Sequence, residues 1–274
     1  MTVGTGEATE DHELTTDQAR SQPDGGAIAA LLSDPDSVRS VHQPIAELAT
    51  GSCTGYRAVV RIADWAGQDS GPWFEAATQA GLSGDLAGLA LRSALRARVT
   101  MPGDRFLLAD LSSRTLTSEP VTRAIEDEDD VADLVLCISG EVGPAANALI
   151  SRLRRRGMRF AASAGPAGLP ELRKLRDVHP DLIVLPPALV RGADREDLQQ
   201  ALIALVVDLA DDLGGSVLAD GVETLGELVT LRGLGVRWAQ GWLLGPLRPA
   251  FHPLSIDLAG WLAAHPELAG RTPS

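Results

Sequence analysis

The chain has only two cysteines, Cys53 and Cys137, far apart and outside any CxxC or Cys/His spacing, so it offers neither a disulfide framework nor a zinc site. Lys174 is the sole lysine, which leaves nearly all positive charge to arginine and excludes lysine chemistry elsewhere. No apolar run is long enough to span a bilayer and no signal-peptide pattern is present, so the expectation is a soluble, cytoplasmic protein with no membrane contact. Positive charge is in deficit too. A formal net charge of -13 argues against general nucleic-acid binding.

That deficit is uneven. Glu7, Glu10, Asp11, Glu13, Asp17, Asp24, Asp34 and Asp36 crowd the start of the chain against Arg20. Large apolar residues are almost missing before Ile28, so residues 1–26 read as a disordered acidic tail that cannot offset the entropy of ordering. Residues 27–264 are expected to form one folded domain, and 265–274 a flexible C-terminus.

What is present is a rhythm. Eight β-rich runs occur: VHQPIAEL (41–48), TGYRAVVRI (54–62), RFLLADLS (105–112), DLVLCISG (133–140), RFAASAG (159–165), DLIVLPP (181–187), GSVLADG (215–221) and VRWAQGWLLG (236–245). Between most of them lie segments of helical period: LSGDLAGLALRSALRARV, GPAANALISRLRRRG, LPELRKLRDV, DREDLQQALIALVVDLADDLGG and TLGELVTLRGLG. The last of these meets Gly233 or Gly235 as its C-cap. Repeated strand–helix alternation predicts an α/β fold, a modified TIM (β/α)₈ barrel, with functional groups at the C-terminal strand ends. A doubly wound open sheet is the competing architecture. The five residues ATGSC between Leu48 and Thr54 are too few for a crossover helix, so the first two strands should form an antiparallel hairpin.

In GYRAVVR (55–61), strand periodicity puts Arg57, Val59 and Arg61 on one face. Together with QPI (43–45), FLLADLS (106–112), LVLCIS (134–139), LRRRGMRFA (153–161), PDLIVL (180–185), LADGVET (218–224) and QGWLLG (240–245), this order resembles the EAL-domain cyclic-di-GMP phosphodiesterases over most of residues 38–249. ADGVET followed by LRGLGVRWAQGW is the most specific part. The resemblance implies a barrel with an antiparallel first hairpin, in agreement with the short ATGSC link. It also implies Mg²⁺ or Mn²⁺ held by carboxylates, with a metal-activated water attacking a phosphodiester in line.

Taken position by position, the resemblance marks this chain as a degenerate member. Arg57 stands for the glutamate of the family's name motif, and Asp110 for an asparagine. Cys137 replaces the first glutamate of the fourth-strand motif, whose second acid is Gly140 or has slipped to Glu141. Ser163 and Ala164 replace the paired aspartates after the fifth strand, before a dimerisation loop rewritten as GPAGLPEL. Val184 replaces the water-positioning lysine and Pro186 its neighbouring aspartate. Asp220 stands for a glutamate, while Glu223, Arg61, Gln43 and Gln240 persist. Hard cations need anionic oxygen ligands, and here Asp110, Asp220 and Glu223 face a guanidinium that cannot lose its proton. The sequence therefore predicts no catalytic residues and no resident metal.

Two readings of Arg57 stay open: a structural cation paired with Asp110, Asp220 or Glu223, or a phosphate grip shared with Arg61. For ligand contact, the resemblance implies Gln43, Arg57, Arg61, Glu223 and Gln240. Cys137 reads as an apolar core residue, the DEDD run at 127–130 as a solvated loop, and His42 as a strand residue beside the groove. His179 falls in the turn before the sixth strand, and Trp238 and Trp242 at packing positions. The function expected is an inactive EAL-like regulatory module acting on a protein partner. The alternatives are a non-hydrolysing cyclic-di-GMP receptor and a residual or altered phosphodiesterase.

Overall fold

The computed structural model describes residues 23–62, 70–163 and 179–265. Eight strands close into one barrel in chain order: β1 (Val38–Glu47), β2 (Cys53–Ile62), β3 (Phe106–Ser112), β4 (Leu134–Ser139), β5 (Arg159–Ser163), β6 (Leu182–Leu185), β7 (Ser216–Ala219) and β8 (Trp238–Ala239). The expected barrel with its antiparallel hairpin is what the chain forms. β1 runs against both its neighbours, pairing antiparallel with β2 and with β8, and every other pairing is parallel.

Side-chain alternation explains the closure. One set of positions fills the interior: Ile45, Phe106, Leu108, Val135, Cys137, Ala161, Leu182, Val184, Leu218 and Trp238. β2 contributes almost nothing at the lower level, because a Cβ on Gly55 would come within 2.9 Å of the Phe106 ring. The opposite faces of the strands pack outward against helices. Leu107, Ala109, Leu134 and Leu136 meet Leu91, Leu95, Leu149 and Leu153 of the helices Ser83–Arg98 and Pro144–Arg154. Ile183, Val217 and Ala219 meet Ile203, Val206 and Leu228 of the helices Asp197–Asp212 and Leu225–Gly233.

Several expectations need correction. A helix spans Gly25–Ser33, so the acidic tail cannot extend to residue 26: the Asp24 side chain caps the helix by accepting from the Ala27 N–H, and Ile28 and Leu31 bury against Val38 and Ile62. Shorter helices at Gly71–Gln79, Glu119–Glu126 and Leu258–Ala264 escape the periodicity reading, being two turns or so long. The run VRWAQGWLLG yields a strand of only two residues. Its pairing stops because the Gln240 carbonyl takes the N–H groups of Gly221 and Val222 and the chain then turns at Gly241, whose φ is +154°. Of the two candidate glycines after Leu225–Gly233, Gly235 is the one in left-handed conformation, with φ +89°. The helix expected at LPELRKLRDV, the loop GPAGLPEL, Ala164 and Lys174 lie outside the described residues.

At Gly241 the Val222 carbonyl oxygen lies 2.1 Å from where a Cβ would sit. Gly241→Ala therefore costs at least ~2 kcal/mol through strain and backbone displacement. A fall in the urea midpoint smaller than the matching Gly103→Ala change, at a position open to solvent, would contradict this.

Candidate functional site

The C-terminal mouth of the barrel is built from strand ends. Arg57 lies on β2 opposite Gln43 of β1, Asp110 lies on β3 beside Cys137 of β4, Asp220 follows β7 and Gln240 follows β8. Arg57 crosses this mouth and spends three donors on two carboxylates. Its Nε and Nη2 donate to Asp110 Oδ2 and Oδ1 at 2.7 and 2.6 Å, a bidentate fork, and its Nη1 donates to Asp220 Oδ2 at 2.6 Å. Gln240 Nε2 donates to the second oxygen of Asp220 at 2.8 Å. The guanidinium is 15% exposed, Asp220 21% and Asp110 47%. Burial alone would pull the guanidinium pKa down, but the charge and hydrogen bonds of Asp110, then the charge of Asp220, push it above its ordinary value.

The remaining predicted residues separate. Glu223 does not join Arg57; it pairs with Arg191 at 2.8 Å, from the turn after β6. Arg61 is half-buried and donates to the neighbouring Val60 carbonyl at 3.0 Å. Gln43 is buried and donates to the Gly245 carbonyl at 2.9 Å, while the buried Gln240 Oε1 has no hydrogen-bond partner. Cys137 is buried beneath Arg57, and burial, then the Asp110 charge, pushes its thiol pKa far up despite the opposing Arg57. It stays a neutral thiol. Val184 is buried in the interior wall and Ser163 is exposed at the end of β5. Gly140 is a left-handed position, with φ +84°, after β4, just before Glu141, and Pro186 caps a short turn after β6.

His42 is not beside the groove. It is fully buried on the other face of β1, its ring centroid 4.0 Å from that of Phe251 at a 30° tilt, with Nδ1 2.8 Å from the Pro249 carbonyl. Trp238 packs as expected, edge-on to Phe106, but Trp242 is 62% exposed rather than packed. The DEDD run lies in a loop. Beside Asp110 a cavity of about 740 Å³ opens between β2, β3 and the flanking helices, with Ser112 and Ser139 among its walls.

Sequence reasoning missed Glu227. Its carboxylate accepts from the N–H groups of Gly192, Glu223 and Thr224 at 2.9, 2.8 and 3.1 Å, fixing the loop that carries Asp220 and Glu223. The signal was in the sequence as Thr224-x-x-Glu227, a capping box at the start of Leu225–Gly233.

Divalent metals of the kind the resemblance implies need several carboxylate oxygens turned toward one point. Asp110 and Asp220 instead turn theirs toward Arg57, and Glu223 turns to Arg191. No group of three or more His, Cys, Asp or Glu side chains among the described residues could hold a metal ion. The donor set does not fit a catalytic metal.

Replacing Arg57 with leucine leaves two carboxylates facing each other without a counter-charge. The expected loss is about 2–3 kcal/mol, below the figure for a wholly buried pair because Asp110 is half in solvent. Removing the acids with Asp110→Asn and Asp220→Asn in the Arg57→Leu background should recover part of it; additive losses in that cycle would refute the bridge. Glu227 supplies a pH test. Burial raises its pKa, but the three backbone donors and the Thr224 hydroxyl outweigh that and hold it below the ordinary glutamate range. A depressed carboxylate stabilises the fold above its unfolded pKa, so this contribution fades as pH falls from about 5 toward 3. The stability gap between wild type and Glu227→Gln should shrink over that window; a constant gap would remove the role assigned to the carboxylate.

Comparison with known proteins places this geometry. A probable cyclic di-GMP phosphodiesterase of Escherichia coli K12 is 26% identical over 239 residues, covering 82% of this chain and 44% of that protein. A cyclic di-GMP phosphodiesterase of Pseudomonas aeruginosa is 25% identical over 241 residues, covering 81% of this chain and 40% of the other. The chain thus spans less than half the length of these two relatives. Among solved structures, the Klebsiella pneumoniae BlrP1 complex with calcium and cyclic di-GMP superposes with a TM-score of 0.67 at 24% identity, over 82% of this chain and 59% of that one. The Xanthomonas citri FimX EAL domain in complex with cyclic di-GMP gives 0.70 at 15% identity, over 84% and 95%. The profile described as EAL domain matches residues 30–247, and on that match the chain belongs to the EAL domain family.

Proposed function

We propose that this chain is a catalytically inactive EAL module that regulates through contacts with a protein partner, without Mg²⁺ or Mn²⁺. The observation that carries the reading is the Arg57 fork: a permanent cation, bonded to both Asp110 and Asp220, occupies the mouth where a metal-dependent hydrolase needs free carboxylate oxygens. Asp110, Asp220 and Arg57 together carry a single net negative charge, and Glu223 is neutralised by Arg191. That field is too weak to gather two dications.

A second reading is supported by a different observation. The similar proteins are named for cyclic di-GMP and two solved neighbours hold it, the 740 Å³ cavity beside Asp110 is of ligand size, and Arg61 keeps hydrogen-bonding capacity. On this reading the chain binds cyclic di-GMP and does not cut it. Arg61 would hold a phosphate, with the Gln43 and Gln240 amides nearby.

One experiment orders these readings. Incubated with cyclic di-GMP and Mn²⁺ or Mg²⁺, the protein should release no linear dinucleotide; product that vanishes with EDTA would overturn the inactive reading. Calorimetric titration with cyclic di-GMP then separates partner from receptor. Absence of heat supports the partner reading, whereas saturable binding weakened by Arg61→Ala establishes the receptor. As a positive control, Arg57→Glu turns the mouth into an all-acid cluster, and Mn²⁺ should raise the Tm of that variant and leave wild type unmoved.

A further inference from the structure

The opposite end of the barrel holds a second cavity, of about 570 Å³, at the N-terminal strand ends. Its walls bring together four arginines from four separate parts of the chain: Arg98, Arg105, Arg159 and Arg237. Behind them stand two aromatic rings. Arg159 lies over the Phe106 ring at 4.9 Å and Arg237 over the Trp238 ring at 4.6 Å, while Phe106 and Trp238 meet edge-on.

Carboxylates are as plentiful here as guanidiniums, but their pairing is uneven. Asp133 and Glu128 reach Arg98 at 3.2 and 3.5 Å, and Asp130 turns its carboxylate back to the Ala132 N–H. Glu47 meets Arg237 at 3.4 Å. Asp104 is exposed at the outer lip. Arg105 donates only to a carbonyl, that of Gly103, and among the described residues neither Arg105 nor Arg159 makes an ion pair. Two further donors are shut off from solvent without an acceptor: Nε of Arg105 and the indole N–H of Trp238, a side chain more than nine-tenths buried. Such orphaned donors are rare in folded proteins and call for an explanation. Burial draws the Arg159 pKa down, with Arg237 adding to that, and the charges of Asp181 and Asp133 offset only part.

We propose that this basal cavity is an anion-binding site for a phosphate group, free or carried on a small phosphomonoester, gripped by Arg105 and Arg159. Planar guanidinium forks match a tetrahedral oxyanion, and two of them without carboxylate partners line the same cavity. The Phe106 ring attracts the Arg159 cation lying over it, a contact that uses none of its N–H donors and leaves them for the ligand. Because the cavity lies at the N-terminal end, this site is separate from the Arg57 mouth and does not depend on what that mouth binds.

The test is calorimetric titration of the whole chain with inorganic phosphate and with glycerol phosphate at constant ionic strength. One saturable site is expected for at least one of them, and the tighter of the two identifies the form carried. Arg159→Gln and Arg105→Gln should each weaken binding roughly tenfold or more. Arg123→Gln, on an exposed helix face, should not change it. Heteronuclear NMR gives a readout that survives poor folding of one variant: the Trp238 indole resonance, assigned through Trp238→Phe, should shift on adding phosphate. No saturable binding of either ligand overturns the proposal. So does binding that Arg61→Ala abolishes while both basal variants retain it, because the phosphate would then be at the other mouth.

Discussion

A single guanidinium organises the C-terminal mouth. Arg57 reaches across the barrel from β2 and ties β3 to the loop after β7, and Gln240 extends the chain of bonds to β8. Such a bridge is costly on its buried side, since the guanidinium and Asp220 largely leave water while Asp110 stays half in solvent, and three guanidinium donors offset that by finding carboxylate oxygens. Once formed it is hard to displace. A dication entering the mouth would have to strip both carboxylates from a cation that cannot be neutralised.

Other parts of the site follow from that commitment. With Asp110 and Asp220 engaged, Cys137 can sit beneath them as a neutral thiol in an apolar wall. Val184 can fill interior space with hydrocarbon. Glu227 contributes by holding backbone: three N–H groups from two loops converge on its carboxylate, so the positions of Asp220 and Glu223 are fixed from below rather than by a ligand. The mouth is preorganised around its own residues.

The barrel was legible in the sequence because its strands are short apolar runs in regular alternation with long helices, and the ATGSC link could only be a turn. Strand periodicity put Arg57 on one face with Val59 and Arg61, and the resemblance to EAL domains set that face at the mouth, where it implied a glutamate. Which acids it would meet was not legible. Choosing Asp110 and Asp220 over Glu223 depends on Arg191, from a turn after a different strand, and no periodicity links the two. The Gly25–Ser33 helix was hidden by its two leading glycines and rests on the Asp24 cap and burial against β1 and β2 rather than on propensity. The last strand ended early because pairing there competes with the turn at Gly241, a tertiary constraint. The basal arginines gave no local signal, being scattered through the chain until closure gathers them.

The inverted direction of β1 has one more effect. In an all-parallel barrel the first strand begins at the base, far from the functional mouth. Here β1 descends from the mouth to the base, and the Gly25–Ser33 helix that precedes it packs by Ile28 and Leu31 against Val38 and Ile62 at the upper ends of the hairpin. The chain therefore enters the fold from the functional side. The Gly25–Ser33 helix is thus a fixture of the end that carries Arg61 and the Arg57 bridge, not of the base.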